Sequence, residues 1–306
     1  MDELRFDGRV AVISGAGRGL GRAYALLLAN RGAKVVVNDN GSAILGEGED
    51  EGPAQQVVRE IEAAGGEAVA STDSVATCEG ARAIVQSALD AFGRIDILIH
   101  NAGNVRYGAL DEIAVEDFHS VLDVHLMGAF YLVHAAFPHM KAQNYGRVVL
   151  TSSIGGFYGN QRCVNYAVSK SGMIGLSNVI ALEGEEHGIR SNLILPGAMT
   201  RMADGLDTSQ YPPLGPELVA PMVGWLAHED CALSGEALVA IGGRMAKIDM
   251  LETHGVFQPH WTIEQVAARM GEIADPATYA HLGLHGYLAH LGQSFEMARN
   301  GRLPAE

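Results

Sequence analysis

Three polar residues at fixed spacing, Ser153, Tyr166 and Lys170, are the side chains of this sequence best suited to chemistry. Lys170 follows Tyr166 by four residues, about one turn of an α-helix, so the two side chains are predicted to share a helical face. A phenol with a pKa of about 10 exchanges protons poorly at neutral pH. A neighbouring ammonium stabilises the phenolate, so we expect it to lower the pKa of Tyr166 and make it a usable general acid or base. Ser153 would hold a substrate oxygen by hydrogen bond as its charge changes.

Taken alone, this spacing is a weak signal. Tyr-x-x-x-Lys occurs often by chance, and the plain alternative for Tyr166 and Lys170 is an ordinary helical pair with the lysine in solvent. The chemical interpretation therefore depends on whether the surrounding elements place a cofactor beside the pair.

A strand, a glycine-rich turn and a helix are predicted near the N-terminus. The apolar run RVAVIS, residues 9–14, leads into GAGRGLG, residues 15–21, and then into a helical stretch closed by Gly32. Glycines suit such a turn because side chains would keep the backbone away from a dinucleotide pyrophosphate, while the helix N-terminus offers free N–H groups to that anion. We therefore expect the turn to bind a nucleotide cofactor through Gly15, Arg18, Gly19, Leu20 and Gly21.

The next predicted strand, residues 33–38, ends at Asp39, twenty residues beyond Gly19. An acidic side chain there can accept hydrogen bonds from the adenosine ribose and repel a 2′-phosphate, so it favours NAD over NADP. Two features leave alternatives open. Asp39 with Asn40 and Gly41 could simply form a turn, and Arg18 could in principle meet a phosphate.

Strands and helices continue to alternate along the chain, which predicts a doubly wound parallel α/β sheet. Asp73 and the segment Asn101-Ala102-Gly103 each follow a strand directly, and ligands in such folds bind at the carboxyl ends of strands. The predicted helices are residues 55–64, 78–92 and 118–140, and the predicted strands are residues 67–71, 95–100, 147–151, 189–195 and 237–241.

Composition restricts the classes of function. The 306 residues are 48% hydrophobic and carry a formal net charge of −15, which argues against nucleic-acid and anionic-membrane partners because both need a basic surface. Cys78, Cys163 and Cys231 lie far apart and have no metal-ligand spacing. The N-terminus has no apolar signal region and we expect no apolar run of membrane-spanning length. We expect a soluble, cytoplasmic protein that acts on a small molecule.

The pattern changes near Gly243, so we predict a dinucleotide-binding domain over residues 1–245 and a helical C-terminal extension over 246–306. Thr262 and Gln265 form a plausible capping box, and a second helix is predicted after Pro276. His281 and His285 would share one face of that helix, but two histidines without a third ligand make a poor metal site, so no metal is expected. The extension is expected to pack over a substrate cleft or a neighbouring subunit.

The motifs together closely resemble the short-chain dehydrogenase/reductase family over roughly residues 6–245. They are Gly15-x-x-x-Gly19-x-Gly21, Asn101-Ala-Gly103, Ser153, Tyr166-x-x-x-Lys170 and Pro196-Gly197, in that order. Runs such as VVVND, ALDAFGRID, VHLMGAF and QNYGRVVLTSS are similar to the (3R)-hydroxyacyl-CoA dehydrogenase branch and its bacterial stand-alone relatives. The resemblance implies a Rossmann-type fold and a nicotinamide cofactor.

The resemblance also implies residue roles. Tyr166 would exchange the proton with the substrate oxygen, Lys170 would bind the nicotinamide ribose, and Ser153 would orient the substrate. Further cofactor contacts would come from two groups. The adenosine side would comprise Asp73, Ser74, Asn101, Ala102 and Gly103, and the nicotinamide end would comprise Pro196, Gly197 and Thr200.

The sequence departs from the family at His125, where an asparagine on the middle helix usually holds a proton-relay water. His125 could hold that water and count as a fourth catalytic residue, or it could be a satisfied core residue. Ser14 replaces the usual threonine but keeps its hydroxyl, and His100 replaces an asparagine and is expected to matter little.

The function implied is the reversible, NAD-dependent oxidation of a secondary alcohol, either a 3-hydroxyacyl-CoA or a hydroxysteroid. Another bulky alcohol, such as a terpenoid or aromatic carbinol, and a non-catalytic NAD-binding scaffold are the alternatives. A CoA substrate needs cations for its phosphates, and the nearest candidates in sequence are Arg201, Arg244 and Lys247. Family analogy suggests a homodimer or homotetramer built on residues 118–140 and 166–183.

Overall fold

The computed structural model of the protein describes residues 3–43, 45, 47–48, 52–199 and 212–301. The chain divides into two compact units, Met1–Lys247 and Ile248–Glu306. Thr200, predicted to contact the cofactor, and Arg201, a candidate cation for CoA, both lie outside the described residues.

Strands and helices alternate through the first unit, as the sequence pattern predicts. In chain order they are β1 (Val10–Ser14), α1 (Gly19–Asn30), β2 (Lys34–Asn38), α2 (Gly52–Ala63), β3 (Ala68–Ser71), α3 (Cys78–Phe92), β4 (Ile97–His100), α4 (Val115–Leu122), α5 (Gly128–Gln143), β5 (Gly146–Thr151), α6 (Ile154–Tyr158), α7 (Val164–Gly184), β6 (Ile189–Gly197), α8 (Ala220–Ala227), β7 (Ala237–Ile241) and β8 (Arg244–Ile248).

The sheet has eight strands in the order β3-β2-β1-β4-β5-β6-β7-β8. The pairs from β3 to β7 are all parallel, and Ser14 lies opposite both Asn38 and His100. The strand order reverses between β1 and β4, which is where ligands bind in such sheets. The prediction of a doubly wound Rossmann-type sheet is therefore confirmed, and the residues that follow each strand share one edge.

The sheet lies in the middle of the unit and is covered on both faces. Every residue of β1, β4 and β5 is buried, as expected for apolar strands of a parallel sheet. One face packs against α1, α2 and α8 through a continuous core that includes Ile13, Leu28, Val37, Ile61, Ile99 and Leu226. The other face contacts α3, α5 and α7. This second layer carries the predicted catalytic tyrosine and lysine.

The middle helix, predicted as one segment over 118–140, is interrupted by a π-helical turn at Asp123–Met127 between α4 and α5. His125 lies within this turn. A π-turn adds one residue to a helical turn, while the segments on either side keep a helical period, so the sequence predicts one continuous helix. Such turns are frequent at functional sites.

The helical segment Val115–Gln143, which includes the π-turn, is long and apolar enough to cross a membrane by length and composition alone. The expectation that no segment reaches that length is therefore wrong. In the fold the segment covers the sheet: Leu132, Val133 and Ala136 are buried, and α5 contacts α3 and β5. Its first turn carries Glu116 and Asp117.

Strand β8 was not predicted. It follows β7 through Gly242 and Gly243, whose φ angles are +56° and +82°. Two consecutive positive φ angles are typical of the tight turn that joins antiparallel neighbours, and glycine adopts them without steric cost. The sheet therefore ends in a hairpin, and its last strand crosses the unit boundary at Lys247.

The second unit contains little regular structure. Strands β9 (Glu252–Thr253) and β10 (Tyr279–Ala280) pair antiparallel, and the helices are α9 (Ile263–Ala268), α10 (Met270–Ile273) and α11 (Gly286–Asn300). The capping box predicted at Thr262 and Gln265 is present. Among residues 248–301, none is fully buried.

The prediction that His281 and His285 share a helical face is wrong. A short 3₁₀ turn, Pro276–Thr278, and strand β10 follow Asp275, and α11 begins only at Gly286. Gly283, with a φ of +65°, lies between the two histidines. The Nε2 atom of His281 lies 3.0 Å from the Asp249 carboxylate, and within the described parts of the chain no three potential ligands gather as a metal site.

Arg162, in the connection between α6 and α7, has a φ of +61°, a left-handed conformation that costs most side chains about 1 kcal/mol. Its ion pair with Glu112 spans 3.7 Å between exposed side chains and contributes little. We expect Arg162→Gly to raise the free energy of unfolding by about 1 kcal/mol relative to Arg162→Ala, because both variants lose the guanidinium and only glycine removes the strain. Urea denaturation measures the difference, and equal midpoints for the two variants would contradict it.

Candidate active site

The glycine turn after β1 lies against the segment that follows β4. The φ of Gly15 is +63°, and a Cβ atom there would lie 2.8 Å from the Ala102 Cα atom. A Cβ atom on Gly21 would lie 2.2 Å from the Gly15 carbonyl oxygen. The Asn101 side chain closes the turn by donating to that same carbonyl at 3.1 Å. Only glycine fits at these two positions.

The N-terminus of α1 is built to receive an anion. No side chain caps it, and its first turn contains no acidic residue. Gly19 begins the helix, half-buried Leu20 follows it, and extended Arg18 is the N-cap residue. The first N–H groups and the positive helix end are therefore available for the pyrophosphate of a dinucleotide, so these residues fit the predicted cofactor.

Asp39 is fixed at the end of β2 by two backbone N–H groups. Its Oδ2 atom accepts from Gly17 at 2.9 Å and its Oδ1 atom accepts from Gly41 at 2.8 Å. The turn interpretation of this residue is therefore confirmed, and its contact to a cofactor stays a prediction. Each carboxylate oxygen retains a further lone pair for a ribose hydroxyl.

The remaining predicted cofactor residues in the described chain lie at the same carboxyl edge. The Asp73 carboxylate accepts from the Ser71 hydroxyl at 3.1 Å, and the Ser74 hydroxyl accepts from the Ala76 N–H at 3.2 Å. Pro196 and Gly197 end β6 beside β7, and Gly103 lies directly against the ring of His125. The fold brings these residues together, and their contacts to a cofactor stay predictions.

Ser153 and Tyr166 meet across two helices. Ser153 is the N-cap residue of α6, where its hydroxyl accepts from the Gly155 N–H at 3.1 Å. Tyr166 lies in the first turn of α7, and its phenol is hydrogen-bonded to Ser153. Because Ser153 follows β5 at the carboxyl edge, both hydroxyls lie at the cofactor side of the sheet.

Lys170 is buried one turn beyond Tyr166. Its Nζ atom donates to the Thr151 carbonyl oxygen at 2.6 Å and lies 5.5 Å from the centroid of the Tyr166 ring. Burial lowers the pKa of Lys170 to about 7, because the charged ammonium is costly away from water. The alternative of a solvent-exposed lysine is therefore excluded.

The pKa of Tyr166 is raised rather than lowered. Burial is the main cause, and the hydrogen bond from Ser153 opposes it. The expected lowering by Lys170 is not met in the protein alone, since the lysine ammonium is itself destabilised by burial and engaged with a carbonyl. Ser153 is thus the group that favours the phenolate here.

His125 is buried beside Tyr166, with the two rings edge to face at 5.4 Å between centroids. Burial and the Lys170 charge hold its pKa well below the usual value, so the imidazole is neutral. Its Nε2 atom lies 2.8 Å from the Asn104 carbonyl oxygen and 3.2 Å from the Asn104 backbone nitrogen, so both backbone groups of one residue hold this side of the ring. The Nδ1 atom is buried and has no partner among the described residues. Half of the ring is satisfied and half is open to a relay water.

The sequence patterns did not identify Asn165 and Asn104, which hold Tyr166 and His125 in place through hydrogen bonds. Asn165 accepts from the Tyr166 N–H at 2.7 Å and donates to the Arg106 carbonyl at 3.0 Å, so it fixes the start of α7. Asn104 holds His125. The available signal was an asparagine immediately before the tyrosine at a predicted helix start, where such side chains bond backbone groups.

The comparisons with known proteins agree with this geometry. The short chain dehydrogenase family model matches residues 9–210. The peroxisomal multifunctional enzyme type 2 of Drosophila melanogaster is 46% identical over 287 residues, covering 92% of this chain and 48% of the relative. The short-chain dehydrogenase/reductase Rv0148 of Mycobacterium tuberculosis, whose function is given as putative, is 44% identical over 87% of this chain and 94% of the relative.

One solved structure is similar to this protein over nearly the whole of its chain. The full-length peroxisomal multifunctional enzyme type 2 from Drosophila melanogaster has a TM-score of 0.80 and 38% identity over 98% of this chain and 51% of that one. The chain thus spans about half the length of this relative. It belongs to the short-chain dehydrogenase family, and it is an oxidoreductase that acts on hydroxyl groups with a nicotinamide dinucleotide of the NAD(P) type.

The buried lysine predicts a pH-dependent stability. Between pH 7 and 10.5 the unfolded chain holds the Lys170 proton more often than the folded chain does, so the free energy of unfolding rises with pH. Lys170→Met removes this contribution, which reaches about 1.4 kcal/mol per pH unit at its steepest. We expect the variant to be the more stable protein near pH 6 and its advantage to shrink towards pH 10.

Denaturant titrations without cofactor at several pH values measure this effect. Lys141→Met, an exposed lysine on α5, is the matched control and should run parallel to the unmodified protein. Parallel curves for Lys170→Met as well would show that Lys170 is not a buried, desolvated ammonium.

Proposed function

We propose that this protein catalyses the reversible, NAD-dependent oxidation of a secondary alcohol to a ketone, with a 3-hydroxyacyl-CoA or a hydroxysteroid as substrate. The observation that carries the proposal is the meeting of Tyr166, Ser153 and Lys170 at the carboxyl edge of the sheet, beside the glycine turn and Asp39.

In the direction of oxidation, Tyr166 accepts the hydroxyl proton of the substrate as the phenolate, and the Ser153 hydroxyl, which bonds to the phenol in the protein alone, turns to donate to the substrate oxygen. A bound nicotinamide cofactor supplies the hydride acceptor. Lys170, with a pKa near 7, changes charge within the working range and is positioned to bind a ribose hydroxyl. The unpartnered Nδ1 atom of His125 forms a hydrogen bond with a water that carries the proton away.

The choice of NAD rather than NADP follows from Asp39. Its carboxylate is held beside the turn by the Gly17 N–H, where an additional 2′-phosphate would meet a negative charge in close range. Arg18 is the nearby cation, and it forms the N-cap position of α1 without a side-chain cap bond.

The substrate class is supported by the apolar surroundings of the catalytic groups. Tyr107 is close enough to raise the pKa of Tyr166 and is 63% exposed. Ile154 and Tyr158, on α6 next to Ser153, are 52% and 78% exposed. Such a rim suits an acyl chain or a steroid ring, and the similarity to a peroxisomal multifunctional enzyme favours the acyl thioester. The same rim suits a bulky terpenoid or aromatic carbinol, which is the second candidate.

Cations for the CoA phosphates are few. Lys247 pairs with Glu236 at 2.9 Å, and Arg244 lies on the edge strand β8. Arg162, four residues before Tyr166, is an exposed cation that sequence reasoning did not consider. These positions are where contacts to a phosphate-bearing substrate are expected.

The test is NADH formation at 340 nm with a (3R)-hydroxyacyl-CoA, a 17β-hydroxysteroid and a panel of bulky secondary alcohols, each with NAD and with NADP. We expect turnover of the thioester with NAD and at least tenfold less with NADP, because one repelled phosphate costs about 1.4 kcal/mol or more. If the protein oxidised only free alcohols, the proposed acyl-thioester substrate would be wrong, and a free secondary alcohol would take its place.

The matched control is Tyr166→Phe, which removes one oxygen and keeps the ring that packs against His125. It should lose turnover and retain NAD binding. A non-catalytic scaffold would instead show no turnover with any substrate in the unmodified protein, while still binding NAD.

We further propose a cytoplasmic homodimer or homotetramer, with no nucleic-acid or membrane partner. Apolar side chains remain exposed on the two helices expected at the interface: Phe130 on α5, and Val168, Val179 and Leu182 on α7. Size-exclusion chromatography with light scattering is expected to give two or four chains per particle. If the protein were a monomer at micromolar concentration, the proposed homodimer or homotetramer would be wrong.

A further inference from the structure

His100, at the end of β4, is completely buried and uses both nitrogen atoms of its ring. Its Nδ1 atom lies 2.9 Å from the Ser14 hydroxyl, and its Nε2 atom lies 2.9 Å from the main-chain carbonyl oxygen of His125. This contradicts the expectation that the residue matters little. A side chain with two buried, short contacts to different elements connects those elements.

The chemistry of the partners fixes every proton in this cluster. The His125 carbonyl can only accept, so His100 Nε2 donates and Nδ1 accepts. The Ser14 hydroxyl therefore donates to Nδ1, and its oxygen accepts from the Asn101 and Ala102 N–H groups at 3.1 and 3.2 Å. Burial with the Lys170 charge lowers the pKa of His100 to about 3, so the ring stays neutral.

The two ends of this chain of bonds lie on different sides of the site. At one end, Ser14 holds the backbone of Asn101 and Ala102, and the Asn101 side chain in turn holds the Gly15 carbonyl of the glycine turn. At the other end is the π-helical turn that carries His125 beside Tyr166.

We propose that His100 is a positioning residue that couples the cofactor turn to the π-helical turn of His125 through the bonds Ser14–His100–His125. Its Nδ1 half sets the segment that closes the glycine turn, and its Nε2 half sets the turn that aims His125. The catalytic part of this inference rests on the proposed function, while the two structural halves stand on the hydrogen bonds alone.

The two halves can be separated by substitution. In His100→Asn the amide oxygen branches from Cγ as Nδ1 does, so the variant retains an acceptor for Ser14 and loses the bond to His125. In His100→Gln the amide nitrogen lies near the position of Nε2, so the variant retains the donor to His125 and loses the bond to Ser14. His100→Leu removes both.

We expect His100→Asn to bind NAD within about twofold of the unmodified protein and to lose about tenfold in kcat, since a misplaced relay group affects only turnover. His100→Gln should show the reverse, with NAD binding about tenfold weaker and kcat at saturating NAD nearly unchanged. His100→Leu should lose both. The pH profile of kcat should keep its shape in Asn and Gln variants, because His100 carries no proton to the substrate.

Ser177→Ala is the matched control for a lost buried hydrogen bond, since Ser177 and Ser191 share one at 2.8 Å between α7 and β6. It should lower the melting temperature and leave NAD binding and kcat unchanged. If all three His100 variants behave like this control, or if the Asn and Gln variants each lose binding and kcat in equal proportion, the coupling role is wrong. A pH profile displaced by more than about one unit would instead make His100 a proton carrier.

Hydrogen exchange supplies a readout that does not need turnover. His100→Asn should raise exchange in residues 121–128, and His100→Gln should raise it in residues 101–104, each without the other. A protein that turns over none of the tested alcohols would still give these two patterns, so failure of the proposed function and failure of this inference are distinguishable. Unchanged exchange in both segments would overturn the inference.

Discussion

The burial of Lys170 is the constraint on which the electrostatics of the site depend. A lysine that is 2% exposed and bonded to a backbone carbonyl rather than a carboxylate cannot keep its usual pKa. Its residual charge in turn lowers the pKa of His100 and His125, which are already disfavoured as cations by burial. Burial, with this desolvated ammonium, therefore keeps two imidazoles neutral, and neutral imidazoles can serve as fixed hydrogen-bond partners at any pH near 7.

The reversal of strand order between β1 and β4 determines how the glycine turn and the segment after β4 meet. Both strands end at the same level, so the turn after β1 and the segment after β4 must approach each other closely. The approach requires glycine at Gly15 and leaves the strand-end side chains Ser14 and His100 beneath the ligand edge. The segment that closes the glycine turn and the turn that carries His125 are thus connected by the side chains at the same two strand ends.

Much of this could be predicted from the sequence, because the signals are local. The strand, glycine turn and helix around Gly15, and the spacing of Tyr166 and Lys170, each lie within one or two elements. What could not be predicted depends on contacts across the fold. The direction of the Tyr166 pKa shift depends on burial. The contacts of His100 join it to residues 86 and 25 positions away in the chain, and the π-turn lies between two segments that each have a helical period.

The replacement of a relay asparagine by His125 need not change the chemistry of the site. An asparagine offers a water a neutral carbonyl oxygen as acceptor, and it carries no proton of its own. A histidine would act differently if it titrated near pH 7, since it would then store the proton. In this structure His125 cannot do so, because burial and the Lys170 charge keep its pKa well below that range. Its unpartnered Nδ1 atom then offers a water a neutral hydrogen-bonding group, as the amide of an asparagine would.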